Sequence, residues 1–266
     1  MANENAPPMG FLAVEVNIAR PPGDPFNERT WSFPLIRETV PGSSVSHIVT
    51  DKQYDDEFIE RFVAAGIKLA KRGAVGIITS CGFLAMAQKK YYPNHCVVVL
   101  RLNMLILIRL SARLPIPIAT SSLIQIPTLR AIIHPAHKIG LLTYDAGRLT
   151  DRHLTELGID PASVHIFGAP PRGYLRGYVS RGEPYDSQNV KHELVIMAKE
   201  LLNSTQDKIR AIVLECTNMA PHGEAIHHAT GLPVYDVYTL GEWFYSGLNR
   251  RNPPYWAMRK PRDQKV

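Results

Sequence analysis

Apolar residues follow two alternating rhythms along this chain. Short runs such as residues 9–17 (Met-Gly-Phe-Leu-Ala-Val-Glu-Val-Asn) predict buried strands, and apolar positions three and four apart predict helices between them. Over residues 53–72, Phe58, Phe62, Ala65 and Leu69 fall on one helical face. Asp55, Asp56 and Glu57 open that helix, and Lys71, Arg72 and Gly73 close it. Residues 74–79 predict a strand that runs straight into Ser80-Cys81-Gly82. Downstream, strands are expected from Ile118, ending before Thr120, and over 139–143, 211–214 and 234–238. Helices are expected over 146–157, stopped by Gly158, and over 187–203, with Val190, Leu194, Met197 and Leu201 inward. The Pro- and Gly-punctuated stretch 20–27 reads as a loop. Alternation of this kind predicts an α/β fold with parallel sheets covered by helices.

The pattern also repeats. Gly10-Phe-Leu-Ala-Val has a counterpart 130 residues on in Gly140-Leu-Leu-Thr-Tyr. The segment Val75 to Ala85, with Cys81, has one in Arg210 to Ala220, with Cys216, at a cysteine offset of 135. The predicted organisation is two similar α/β halves, residues 9–136 and 137–249, with the active site between them and a basic tail over 250–266. One stretch departs from the repeat. Cys81 lies 36 residues before Pro117, whereas Cys216 lies 17 before Pro233, and the surplus falls near the apolar segment 96–110. Arg101 and Arg109 interrupt that segment, which is too short for a membrane helix of roughly 20 apolar residues.

Composition narrows the function classes. Of 266 residues, 45% are hydrophobic and 20% charged, which excludes disorder as a global description. Three cysteines do not make a disulfide scaffold, and the first residues lack a basic then apolar leader, so a cytoplasmic protein is expected. The net charge of +6 would suit a polyanion partner. Five of those charges, however, belong to residues 250–266, where Arg250, Arg251, Arg259, Lys260, Arg262 and Lys265 face only Asp263. The body is nearly neutral. The expected partners are a small carboxylate substrate and a second copy of the chain in a homodimer, with no nucleic acid and no membrane.

The chemistry is expected at the cysteines. Cys81 and Cys216 each follow a strand, where open α/β sheets place their ligands and where free backbone N–H groups favour a thiolate. Two sulfurs on opposite sides of one ligand suit proton exchange. One thiolate removes a proton from a carbon next to a carboxyl group, and the opposite thiol returns one to the other face. Buried cysteines also serve as small hydrophobes, and Cys96, with no matching motif, is read that way.

Around these residues the sequence resembles the aspartate/glutamate/hydantoin racemase superfamily over residues 9–245, on Thr79-Ser80-Cys81-Gly82-Phe83-Leu84 and Glu215-Cys216-Thr217-Asn218-Met219. The resemblance implies a racemase or epimerase with no cofactor and no metal, in which Cys81 and Cys216 are the acid/base pair. It implies substrate contacts from Thr79, Ser80, Gly82, Thr217 and Asn218, from Thr120, Ser121 and Ser122 after the next strand, and from Thr143. Phe83 adds an aromatic beside the site. Two departures stand out: racemases of glutamate and aspartate show Cys-Asn-Thr and Gly-Cys-Thr where this chain has Cys-Gly-Phe and Glu-Cys-Thr.

Other readings stay open. Within the superfamily these are a maleate-isomerase-like or decarboxylase-like reaction; outside it, a two-lobed carboxylate-binding protein without catalysis. Metal chemistry is disfavoured. His134 and His137 flank Pro135 in an expected loop, and neither they nor His222, His227 and His228 form a known ligand motif. Phosphate-binding glycine motifs are absent from the sequence.

Overall fold

The structure is a computed structural model, and it describes residues 6–87 and 110–252. The expectations for residues 96–109 and for the tail beyond residue 252 lie outside the described residues. In the first half, β1 (Met9–Val14) and β2 (Leu35–Val40) precede α1 (Val45–Ile48), α2 (Asp56–Lys71) and β3 (Ile77–Thr79). Then come α3 (Leu110–Arg113), β4 (Ile118–Ala119) and α4 (Ile126–Ile132). The second half holds β5 (Lys138–Thr143), α5 (Asp151–Thr155), β6 (Val164–Gly168), α6 (Tyr174–Ser180) and α7 (Ser187–Asn203). It continues through β7 (Ile209–Leu214), α8 (Gly223–Thr230), β8 (Val234–Tyr235) and α9 (Val237–Leu248).

The strands form two four-stranded sheets, ordered β2-β1-β3-β4 and β6-β5-β7-β8, and every pairing is parallel. The second order is the first with each strand number raised by four, so the repeat seen in the sequence is a repeat of topology. The strands β1 and β5 are buried: all six residues of β1 and five of six in β5. Strands covered on both faces need continuous apolar runs, and these segments have them.

Local chemistry explains the helices that carry the layers. Asp55 caps α2 by accepting from the Phe58 amide, and Phe58, Phe62, Ala65 and Leu69 face the sheet. Asp186 caps α7 through the Gln188 and Asn189 amides, and Val190, Leu194, Met197 and Leu201 are buried.

Two expectations need correction. Residues 234–238 do not continue as a strand, because Asp236 accepts from the Thr239 amide and caps α9 there. The helix expected over 146–157 is shorter, Asp151–Thr155, although Gly158 ends that region with φ +73°. α9 then packs on the first sheet: Leu240 and Tyr245 share a cluster with Phe11, Trp31, Phe33 and Ile78. No helix among the described residues is long and apolar enough to cross a membrane.

Candidate active site

Both cysteines sit at equivalent places. Cys81 follows β3 by two residues and precedes a 3-10 turn over Gly82–Ala87. Cys216 follows β7 by two residues and is the N-cap of a 3-10 turn over Thr217–His222. The strands lie beside β1 and β5, so both cysteines emerge at the C-terminal ends of their sheets, at the junction of the halves.

They line one small cavity of about 40 Å³. Its wall is mostly apolar, with Val14, Val16, Ile18, Val45, Ile48 and Val49 on the first half and Val179 on the second. Its polar lining is Arg20, Ser80, Tyr144, Glu215, Thr217 and Asn218. An apolar chamber with a few convergent polar groups is the usual form of a small-molecule site.

Of the residues expected to touch substrate, Ser80, Cys81, Phe83, Cys216, Thr217 and Asn218 line this cavity. Thr79, Gly82, Thr120, Ser121, Ser122 and Thr143 do not. The hydroxyls among this second group build the frame instead. Thr79 donates to the Thr120 carbonyl at 2.6 Å, and Ser121 accepts from the Leu123 amide. Ser122 donates across the junction to the Leu214 carbonyl at 2.6 Å. Thr217 makes the reciprocal bond, donating to the Ser80 carbonyl at 2.6 Å. Each half therefore holds the strand end that carries the other half's cysteine.

The expected amide donors are present. The Phe83 amide donates to Cys81, and the Asn218 amide to Cys216. They do not prevail. Burial, and then the neighbouring Glu215 charge, push both thiols above their ordinary range. At neutral pH both are thiols.

Three cavity groups carried no expectation from the sequence. Arg20 comes from the Pro-rich loop and pairs with buried Asp24 at 3.3 Å; Asp24 in turn accepts from Asn218 Nδ2 at 3.0 Å. Tyr144 follows β5 directly, and its ring lies under the Arg176 guanidinium. Glu215 is 1% exposed, and burial raises its carboxyl to about 7. Its Oε2 accepts from Thr143 Oγ1 at 2.8 Å and from the Tyr144 amide at 3.2 Å. The signal for Glu215 was the departure to Glu-Cys-Thr; the other two had none.

Among the described residues no group of three His, Cys, Asp or Glu side chains converges as a metal site, and His134 and His137 lie in the turn before β5.

Two parallel sheets of the same order, with a cysteine at the matching strand end of each, make up this fold. Arylmalonate decarboxylase shares this fold at TM-score 0.60 and 17% identity, over 93% of this chain and 94% of that one. Allantoin racemase from Klebsiella pneumoniae shares it at TM-score 0.56 and 12% identity, over 90% and 87%. No protein-family model matches. In sequence, the chain is 30% identical over 250 residues to a dimethylsulfoniopropionate lyase of Durusdinium sp. clade D, covering 90% of this chain and 74% of that protein. The chain belongs to the family of that lyase.

Proposed function

We propose that this protein is a lyase that eliminates the β-substituent from a small carboxylate, with dimethylsulfoniopropionate as substrate. The observation that carries the reading is the pair of thiols lining one apolar cavity, in a chain whose relative is a lyase of that compound. Cys216 first gives its thiol proton to water, and the thiolate then takes the proton from the carbon next to the carboxylate. Its sulfur is oriented by Asn218, whose Oδ1 accepts from Sγ at 3.8 Å and whose Nδ2 is pinned by Asp24. The C–H electron pair becomes the new C=C bond, and the C–S pair leaves with sulfur as neutral dimethyl sulfide. Acrylate remains, and the proton on sulfur passes to water. Arg20 and the Thr217 and Ser80 side of the cavity receive the carboxylate.

Proton removal beside a carboxyl group is also the first half of the two-base racemisation expected from the sequence. The reactions differ in the fate of the substrate: a racemase returns the proton, a decarboxylase loses carbon dioxide, and a lyase loses its β-substituent. Incubating the purified protein with dimethylsulfoniopropionate in deuterium oxide, with headspace analysis for dimethyl sulfide and NMR for acrylate, separates them. Stoichiometric dimethyl sulfide and acrylate are expected. A folded protein that releases neither overturns the lyase reading, and deuterium exchange on an amino acid would restore the racemase.

A further inference from the structure

Glu215 is the only carboxylate lining the cavity among the described residues. Its backbone belongs to the second half, beside Cys216, but its side chain crosses the junction to lie against Gly82, next to Cys81. Two donors hold Oε2, whereas Oε1 is buried without a hydrogen bond of normal geometry, the Phe83 amide being adjacent. Among the described residues no cation compensates it: the charge next to it is Asp145, and Arg20, the cation lining the cavity, is engaged with Asp24. A carboxylate this deeply buried is costly unless something neutralises it. A structural role alone would call for a neutral hydrogen-bonding side chain, not an acid.

The walls around it say what would fit. Valines and isoleucines, the Phe83 ring and the Tyr144 ring supply apolar and aromatic surface. An ammonium group needs hydrogen-bond acceptors on several sides. A sulfonium or quaternary ammonium needs only a counter-charge, apolar contact for its methyl groups, and an aromatic face.

We propose that the Glu215 carboxylate is the subsite for an alkylated cation, receiving the positively charged end of a substrate whose carboxylate lies towards Arg20. The proposal deepens the lyase reading and rests on it for the substrate. A cation placed there cancels the repulsion that Glu215 exerts on the thiols, so the substrate itself makes proton removal easier. Anionic substrates lacking that cation are repelled.

The test is binding, which needs no turnover. Two analogues of equal shape are compared by calorimetry: 3-(trimethylammonio)propionate, which is cationic at one end and a poorer leaving group, and uncharged-tailed 4,4-dimethylpentanoate. At pH 8 the native protein is expected to bind the cationic analogue at least tenfold more tightly. In E215Q, which keeps the acceptor for Thr143, the ratio is expected to fall to near one. A second arm needs no variant: in the native protein at pH 5.5, with Glu215 protonated, the same ratio should collapse. A native protein that shows no preference at pH 8, including one that binds neither analogue, overturns the proposal, as does a preference that E215Q retains. A preference at pH 8 that E215Q abolishes, without any release of dimethyl sulfide, would sink the lyase reading and leave the cation subsite standing.

Discussion

Gly82 and Glu215 meet across the junction of the halves so closely that a Cβ on Gly82 would lie 2.4 Å from Oε1 of Glu215 and 2.3 Å from its carbonyl oxygen. Both positions at which the sequence departs from the racemase pattern, Gly82 and Glu215, thus take part in one contact. Racemases carry a side chain after the first cysteine and glycine before the second; this chain has glycine after Cys81 and a side chain before Cys216.

Gly82→Ala should accordingly be far worse than a surface glycine replacement. The added methyl group meets backbone as well as side chain, so the loss is expected at about 1–3 kcal/mol, the cost of overpacking a tight interior. Glu215→Gly in the same chain should return part of it, because the side-chain clash goes and the new glycine lets its own carbonyl shift. A double-mutant cycle by urea unfolding measures the coupling. Additive losses would mean that the two positions do not share this space.

How far this was legible depends on the range over which each feature is encoded. The placement of Cys81 and Cys216 could be read because strand, cysteine and offset recur within each half, and local apolar pattern reports all three. The α7 boundaries match the expected 187–203 because Asp186 caps it and its inward positions are regular. β2 went unread because it is an edge strand with only Leu35 and Val40 buried, so its Arg37, Glu38 and Thr39 hide the alternation. Thr143 and Ser122 were expected to touch substrate, yet they bond Glu215 and Leu214, partners 72 and 92 residues away. No local pattern encodes contacts of that range. Glu215 shows the same limit: its identity was visible as an oddity, but its meaning depends on Gly82 in the other half.

The two cysteines should not be equivalent. An elimination needs one base, whereas stereoinversion needs two. Cys216→Ala is expected to lower kcat on dimethylsulfoniopropionate on the order of 10³-fold, the usual scale for removing a general base. Cys81→Ala should cost about tenfold, through cavity shape and lost packing. Initial rates of acrylate release decide it. Equal and complete loss in both variants would favour the two-base reaction.

Two buried groups should bend stability in opposite senses between about pH 4 and pH 7. Burial pushes His153, packed edge-on to Phe83, down to about 4. The unfolded chain binds its proton near 6.5 while the fold refuses it, so stability falls as pH drops from 6.5 to about 4, by roughly 1.4 kcal/mol per pH unit. Glu215 runs the other way. Its folded carboxyl titrates near 7 against an ordinary 4.5, so the fold holds a proton the unfolded chain has lost, and stability falls as pH rises through that window. Melting temperatures of the native protein and E215Q should therefore agree near pH 4 and diverge up to pH 7, with E215Q higher. Parallel curves would place the Glu215 titration elsewhere.

Arg20, Asp24, Asn218 and Cys216 form a continuous chain of contacts that ends at the Cys216 sulfur. Arg20 pairs with Asp24 at 3.3 Å, Asp24 accepts from Asn218 Nδ2 at 3.0 Å, and Asn218 Oδ1 accepts from Cys216 Sγ at 3.8 Å. Asp24 is itself buried, with its carboxyl raised by that burial and lowered by Arg20 and the Phe26 amide, so the chain is held by charge as well as shape. Its two ends should separate kinetically. Asn218→Ala removes the acceptor that aims the sulfur and should lower kcat with little change in KM. It also strips a donor from a buried carboxylate, at a stability cost of about 1–3 kcal/mol. Asp24→Asn keeps a hydrogen-bonding side chain beside Asn218 but releases Arg20 from its ion pair. Its effect should fall on KM if Arg20 receives the substrate carboxylate as proposed. If both variants move kcat and KM together, the four residues act as a structural strap for the loop, and the division between aiming the base and binding the carboxylate is wrong.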